Sequence, residues 1–213
     1  MGIFDEIAAY RVIPVIALDD AAAALPLADA LMGGGLPVAE ITFRTEAARE
    51  TIAAIAAHRP EMLVGAGTVL APDQVDAATE AGARFALAPG LDEEVLARAG
   101  SRGLPFAPGI QTASELGRAL RAGCEMVKFF PAAQAGGPAA LAALAGPFAH
   151  TGIGFNPTGG VTPATMGDWL ALPMVRAVGG TWIATRDQIA AGDWEGIATR
   201  AREAAARALK RPA

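Results

Sequence analysis

Short apolar runs alternate with helix-like segments along nearly the whole chain. Each run has the length of a buried strand, and each is followed by a turn and a stretch of helical periodicity. Parallel strands need a long crossover connection between them, commonly a helix, so this alternation predicts a parallel sheet. The eight runs are RVIPVIAL, PVAEITF, MLVGAGTV, RFALAPG, LPFAPGI, EMVKFFP, TGIGFNPTGG and MVRAVGG, which begin near Arg11, Pro37, Met62, Arg84, Leu104, Glu125, Thr151 and Met174.

Start and stop signals mark the helices between these runs. Asp19–Asp20 suit the beginning of the first intervening helix and Gly33 its end, while Thr112–Glu115 reads TASE, a capping box. Pro72 and Pro163 suit first-turn positions of later helices. A short helix is also expected before the first strand.

Eight strand and helix units that close on themselves give a (β/α)8 TIM barrel, predicted here as a single domain over residues 1–213. A doubly wound open sheet is the alternative. The even spacing leaves no room for a second domain, and no G-x-G-x-x-G follows the first strand, since GAGTVL at Gly65 lacks the third glycine. In a barrel the active site lies at the carboxyl ends of the strands.

Composition narrows the class of protein. The chain is 53% hydrophobic and 18% charged, which is typical of a folded globular domain. Its net charge is -5 without any basic block, so no nucleic acid or anionic membrane is expected as a partner. The acidic start does not resemble a signal peptide, and the lone Cys124 fits a reducing compartment, so a cytoplasmic protein is predicted. With one cysteine, two histidines and no carboxylate cluster, no metal is expected.

Polar side chains end the second and third strands. Strand side chains alternate between two faces, which places Glu40, Thr42 and Arg44 on the same face. If that face is the barrel interior, buried charges there need a partner or a task. One interpretation is an ion pair between Glu40 and Arg44 that closes the barrel mouth. The other is a ligand site, which Thr68 favours, since it ends the next strand among small residues.

Lys128 stands out because the chain otherwise prefers arginine. Of 17 basic residues only Lys128 and Lys210 are lysines, and Lys128 lies between Val127 and Phe129. An arginine cannot lose its proton in a protein, whereas a lysine can, and a neutral amine attacks carbonyl carbon. The product is a Schiff base, which makes a keto acid an electron sink. The alternative is a lysine that extends to water at the barrel mouth.

Two diglycines follow the seventh and eighth strands, Gly159-Gly160 and Gly179-Gly180. Barrels often bind phosphate with these two loops, where glycine lets backbone N–H groups approach an anion. A phosphate site is therefore predicted. Two ordinary tight turns would use glycine equally well.

The motifs AEITFRTEAA, VGAGTVL, APGL, FAPGI, VKFFPA, NPTGGVTP and VGGTWI, in this order, resemble the 2-keto-3-deoxy-6-phosphogluconate (KDPG) aldolases. The resemblance covers almost the whole chain. It implies a class I aldolase with a (β/α)8 fold, usually a homotrimer, without a metal or other cofactor. Asn156 and the HTGIGFNP segment around it depart from the family pattern, which leaves the contour of the seventh loop open.

The resemblance also implies roles for individual residues. Lys128 forms the Schiff base with pyruvate, Glu40 is the acid and base, and Arg44 and Thr68 hold the pyruvate carboxylate. The remaining implied contacts line the pocket or bind substrate and phosphate: Pro89, Phe130, Thr158, Gly159, Gly160, Gly180 and Thr181.

The predicted reaction is the reversible cleavage of a phosphorylated keto acid, KDPG, into pyruvate and glyceraldehyde 3-phosphate. Alternatives within the same chemistry are 4-hydroxy-2-oxoglutarate and the galactonate epimer of KDPG as substrates. From other classes, a non-covalent phosphosugar isomerase would keep the diglycines but have no use for Lys128, and a non-catalytic phosphate-ligand binder would need none of the reactive groups.

Overall fold

The structure is a computed structural model that describes residues 2–209, so Lys210 lies outside the described residues. Its strands are β1 Val12–Ile16, β2 Val38–Thr42, β3 Leu63–Gly67, β4 Ala86–Leu87, β5 Phe106–Ala107, β6 Gly109–Ile110, β7 Met126–Phe129, β8 Gly154–Pro157 and β9 Val178–Gly180. Its α-helices are α1 Ile3–Tyr10, α2 Ala24–Gly33, α3 Ala48–His58, α4 Pro72–Glu80, α5 Glu93–Arg102, α6 Ala113–Arg121, α7 Gly137–Ala145, α8 Met166–Leu170, α9 Arg186–Ala190 and α10 Trp194–Ala208. Short 3-10 helices occupy Ala21–Ala23 and Gly146–Thr151.

All strand pairs are parallel, so the predicted α/β fold with a parallel sheet is confirmed. The strands form two curled sheets, with the orders β5-β4-β3-β2-β1-β9 and β6-β7-β8. Isolated bridges join Phe155 to Val175 and Thr158 to Gly179 between the β8 and β9 segments. The run LPFAPGI, predicted as one strand, is divided into β5 and β6 at Pro108, which has no backbone N–H to continue a ladder.

Helix ends follow the predicted chemistry with one exception. The Asp20 side chain accepts a hydrogen bond from the backbone at the 3-10 helix that leads into α2, and Pro72 is the first residue of α4. Thr112 and Glu115 form the predicted capping box of α6. The placement of Pro163 was wrong, because α8 begins only at Met166, after a turn that contains Pro163.

The side chains on the inner faces of the curled sheets change character along the strands. Where the strands begin, they form an apolar cluster with Phe4 and Ile7 of α1, so this helix covers the amino end of the sheet. The strand members of that cluster include Val38 and Met126, and the next residues on the same faces are Glu40 and Lys128. The interior is therefore apolar at the amino ends of the strands and polar toward the carboxyl ends, where parallel α/β folds bind their ligands.

A second, larger apolar cluster lies between the strands and the surrounding helices, and its members run from Val12 to Ala208. It contains most of the buried Ala, Leu, Ile and Val side chains. Between residues 2 and 209, no helix has the length and apolar character needed to cross a bilayer.

Candidate active site

The centre of the candidate site is an ion pair between strands that are not neighbours. Nζ of Lys128 on β7 lies 2.8 Å from Oε1 of Glu40 on β2. Lys128 is 4% exposed and Glu40 is fully buried. Because β2 and β7 belong to different sheets, these side chains meet across the interior. The alternative of a lysine that extends to water is wrong.

Glycines leave the room that this pair occupies. A Cβ on Gly67 would lie 2.2 Å from Oε1 of Glu40, so β3 must carry a glycine beside the carboxylate. On the other side, Lys128 is in register with Gly109 of β6 and with Asn156 of β8. Gly67 of GAGTVL thus makes space for the Glu40 carboxylate, whereas Gly109 of FAPGI makes space for the Pro89 backbone.

The two oxygens of Glu40 have different surroundings. Oε1 accepts the hydrogen bond from Lys128, whereas Oε2 is buried and has no hydrogen-bond partner among the described protein groups. A buried carboxylate oxygen without a partner is costly and uncommon in a native protein. Oε2 is therefore the atom of this site best placed to bond a substrate hydroxyl or a water.

Lys128 also faces an aromatic ring. Its Nζ lies 5.7 Å from the centroid of the Phe130 ring, which is within cation–π range. Phe130 is half-buried. The amine thus has a carboxylate on one side and an apolar wall on the other.

Arg44 does not form the ion pair with Glu40 that the sequence allowed. It lies exposed in the turn after β2, and its Nε donates to the Thr42 hydroxyl at 3.0 Å. Thr42 is buried and donates in turn to the carbonyl of Ile16 at 2.7 Å. The sequence placed Thr42 on the same face but gave it no role. In the structure its hydroxyl holds the Arg44 guanidinium through Nε.

Thr68 follows β3 in an unusual backbone conformation. Its φ is 55°, in the left-handed region that β-branched residues rarely adopt. Strain of this kind is found mainly where the surrounding structure enforces it, often at functional sites. Thr68 is half-buried, as is Pro89 after β4, and the backbone of Pro89 packs so closely on Gly109 that a Cβ there would lie 2.1 Å from it.

The loops after β8 and β9 come together as predicted for neighbouring strands. The bridge from Thr158 to Gly179 sets the two diglycines side by side, although Gly179-Gly180 forms the last two residues of β9 and only Gly159-Gly160 lies in a turn after its strand. Gly159 and Gly160 have φ values of 94° and 75°, which favour glycine. Thr158 is buried, as is Gly180, whereas Gly160 and Thr181 are exposed and Gly159 is half-buried.

Asn156 is the polar group of the interior that the sequence left without a role. It lies on β8, fully buried, beside Lys128 in register. Its Nδ2 donates to the carbonyl of Ala177 at 3.0 Å, and its Oδ1 accepts from the Thr158 hydroxyl at 3.0 Å. The signal was present, because Asn156 and Thr158 alternate with period two on one strand, as Glu40 and Thr42 do.

Cys124 does not compete with Lys128 as a nucleophile. It precedes β7 at the opposite end of that strand, and burial raises the pKa of its thiol to about 11. At neutral pH the thiol therefore stays protonated and unreactive. The described part of the chain contains no group of three His, Cys, Asp or Glu side chains suited to a metal ion.

Known proteins share both this sequence and this fold. The family described as "Aldolase: KDPG and KHG aldolase" matches residues 3–200. The KHG/KDPG aldolase of Escherichia coli K12 is 48% identical over 193 residues, which cover 91% of this chain and 90% of that protein.

Two crystal structures superpose closely. The KDPG aldolase of Zymomonas mobilis ZM4 with 3-phosphoglycerate has a TM-score of 0.89 and 37% identity, with 98% of this chain and 97% of that chain covered. The KDPG aldolase of Legionella pneumophila, with pyruvate captured as a covalent carbinolamine intermediate, has a TM-score of 0.89 and 39% identity, with coverages of 93% and 96%. The resemblance carried by the motifs is thereby confirmed: this chain belongs to the KDPG and KHG aldolase family.

Proposed function

We propose that this protein is a class I aldolase that reversibly cleaves KDPG into pyruvate and glyceraldehyde 3-phosphate, with Lys128 as the Schiff-base residue. The observation that carries the proposal is the buried contact of 2.8 Å between Lys128 and Glu40. Such a pair adds little net stability, because desolvation of the two charges offsets most of their attraction. The relatives support the same reaction, and the Legionella protein binds pyruvate as a covalent carbinolamine.

The contact supports a proton transfer that prepares the nucleophile. Glu40 takes a proton from the Lys128 ammonium, and the neutral amine attacks C2 of the keto acid to give a carbinolamine. Glu40 then returns the proton to the C2 hydroxyl, which leaves as water, and the iminium remains. No atom outside the pair and the substrate is needed for this step.

Carbon–carbon cleavage uses the same carboxylate. Glu40 removes the proton of the C4 hydroxyl, the C3–C4 bond breaks, and its electron pair moves to the iminium to give an enamine and the aldehyde. The proton then goes from Glu40 to C3, and water hydrolyses the imine to pyruvate and free Lys128. The unpartnered Oε2 of Glu40 supports this second role, since Oε1 already faces the amine.

The remaining site residues bind the two ends of the substrate. Arg44 and Thr68, which follow β2 and β3, hold the carboxylate, and Pro89 and Phe130 form walls of the pocket. The phosphate end lies at the paired loops after β8 and β9, with Thr158, Gly159, Gly160, Gly180 and Thr181. The bridge between these loops supports one shared anion site, because bare backbone from both segments meets there.

This anion site favours a phosphorylated substrate over 4-hydroxy-2-oxoglutarate, which uses the same lysine but has no phosphate. The galactonate epimer of KDPG differs only at one carbon, so a direct comparison of kcat/KM for the three compounds separates them. Preference for the unphosphorylated acid would contradict the anion site while leaving the covalent mechanism intact.

We also infer that the two sheets form one closed eight-stranded barrel in a single domain over residues 1–213. β5 and β6 are two parts of one strand, because the Pro108 carbonyl between them accepts from the Lys128 N–H at 2.8 Å. The bridges between β8 and β9 support closure on the other side. The larger apolar cluster, from Val12 to Ala208, supports one domain.

Two further proposals are a homotrimer and a cytoplasmic location. The trimer rests on resemblance to the family. The location rests on a single half-buried cysteine, which fits a reducing compartment.

Reductive trapping tests the proposed function. Borohydride with pyruvate should add one stable adduct at Lys128 in the wild type, and peptide mapping separates this site from Lys210. Lys128→Ala and Lys128→Arg should show no adduct there and lose turnover, because neither side chain can form the imine. Turnover that survives in Lys128→Ala, or is lost to a chelator, would instead favour the isomerase or a metal-dependent reaction.

A further inference from the structure

Asn156 lies in the interior beside the nucleophile, and its side-chain hydrogen bonds go to Ala177 and Thr158. On β8 it is in register with Lys128 of β7, and parallel neighbours in register point to the same face. Thr158, two residues later, shares that face. Both side chains are buried, and the two side-chain hydrogen bonds of Asn156 join it to protein groups.

The orientation of the Asn156 amide follows from its neighbour. The carbonyl of Ala177 can only accept, so the group facing it at 3.0 Å must be Nδ2. Oδ1 then faces Thr158. Because Oδ1 can only accept, the Thr158 hydroxyl must donate its proton across the 3.0 Å contact.

This contact determines what Thr158 can offer to a ligand. A hydroxyl has one proton and two lone pairs, and the Thr158 hydroxyl already donates its proton to Oδ1 of Asn156. The Thr158 backbone is also held, since its N–H donates to Phe129 at 3.0 Å and its carbonyl accepts from Ala132 at 2.8 Å. The side chain occupies space left by Gly179, where a Cβ would lie 2.1 Å from Oγ1. Thr158 can therefore act only as an acceptor.

We propose that Asn156 is a positioning residue that fixes the Thr158 hydroxyl as an acceptor for a hydroxyl group of the substrate. The proposal rests on the proposed function. Pyruvate carries no hydroxyl, whereas the aldehyde-derived part of the substrate does. Asn156 therefore acts on recognition of that part and leaves imine formation with pyruvate unaffected.

Two rates measured on Asn156→Leu test this role. The variant keeps the approximate volume of the side chain but removes the acceptor Oδ1, so the Thr158 hydroxyl is free to rotate. We expect kcat/KM for KDPG cleavage to fall about tenfold, the worth of one well-oriented hydrogen bond. The rate of borohydride trapping with pyruvate should stay within about twofold of the wild type, because no lost interaction involves pyruvate.

A double-mutant cycle shows whether the effect passes through Thr158. If it does, Asn156→Leu lowers kcat/KM in the wild-type background but has little further effect in Thr158→Val. Thr51→Val is the matched control, since it removes a buried hydroxyl on α3 that has no hydrogen-bond partner. That control should keep both rates.

Additive losses in the cycle, or an equal loss of cleavage and pyruvate trapping, would overturn the positioning role. If Asn156→Leu does not fold, as judged by circular dichroism, Asn156→Ala carries the same comparison with a smaller side chain. A wild type that traps no pyruvate would contradict the proposed function. The positioning role of Asn156, which rests on that function, would then be overturned as well. Additive losses in a wild type that does trap pyruvate would remove the positioning role alone.

Discussion

At the scale of single residues, the ion pair of Lys128 and Glu40 is the feature that links structure to chemistry. Both side chains are buried, and a pair of this kind is destabilising to break but gives little stability when complete. Lys128 was predicted from the avoidance of lysine elsewhere. Glu40 was expected as the acid and base only through the family resemblance, because alternation along β2 indicated only that Glu40, Thr42 and Arg44 share a face.

Glu40→Gln keeps the shape of the Glu40 side chain and its contact with Lys128 but removes its ability to transfer a proton. The amide keeps an oxygen that can accept from Lys128 Nζ, but it cannot take or return a proton. We expect kcat to fall roughly 100-fold to 10,000-fold, the usual worth of a general acid or base, with the fold retained. Steady-state kinetics and a thermal melt measure both quantities.

The same substitution at an exposed glutamate, Glu61→Gln, is the control and should leave kcat unchanged. If kcat of Glu40→Gln stays within about tenfold of the wild type, Glu40 does not transfer the proton in the slow step.

At the scale of elements, the reactive groups depend on strands that carry glycine beside them. β3 is LVGAG, and its last residue, Gly67, faces the Glu40 carboxylate. β6 begins with Gly109, in register with Lys128. Glycine weakens a strand interior, and at both positions another group approaches closely: the Glu40 carboxylate at Gly67 and the Pro89 backbone at Gly109.

Gly67→Ala should therefore damage activity and stability together. The new Cβ would lie 2.2 Å from Oε1 and 2.5 Å from Cγ of Glu40, so the carboxylate must turn away from Lys128. We expect kcat to fall at least about tenfold and the free energy of unfolding to fall by roughly 1–3 kcal/mol, as in overpacked cores. Kinetics and chemical denaturation test both effects.

Gly100→Ala on α5 is the matched control, because a Cβ there has no neighbour within 4 Å. It should raise stability by roughly 0.5–1 kcal/mol through helix propensity and leave kcat unchanged. Wild-type activity in Gly67→Ala would mean that the carboxylate has another productive position.

At the scale of the whole molecule, helix α1 and the strand ends divide the interior into two parts. Phe4 and Ile7 cover the apolar amino end, and Glu40 and Lys128 lie toward the carboxyl end. All proposed site residues belong to one chain.

Sedimentation equilibrium tests the trimer. We expect one species with three times the mass of the chain at micromolar concentration, in the wild type and in Lys128→Ala alike, because the pair is internal to each chain. Of the described large apolar residues, only Leu70 and Leu209 are more than half exposed, at 58% and 67%. A mass equal to one chain would contradict the trimer.

Much of this architecture was predictable from local pattern. The eight apolar runs, the capping box at Thr112 and the first-turn Pro72 are signals read within a few neighbouring residues. The break at Pro108 and the turn at Pro163 were not anticipated, because a strand or helix boundary depends on which backbone groups find partners elsewhere.

The sequence by itself determined the alternation of strands and helices and the family, and it singled out Lys128 as the candidate nucleophile. Those properties lie in local periodicity, ordered motifs and composition. Only the tertiary structure decided that Glu40 pairs with Lys128, that Arg44 is held by Thr42, and that Asn156 orients Thr158. Residues 88 positions apart meet because the sheet curls, and neither alternation nor spacing along one strand contains that information.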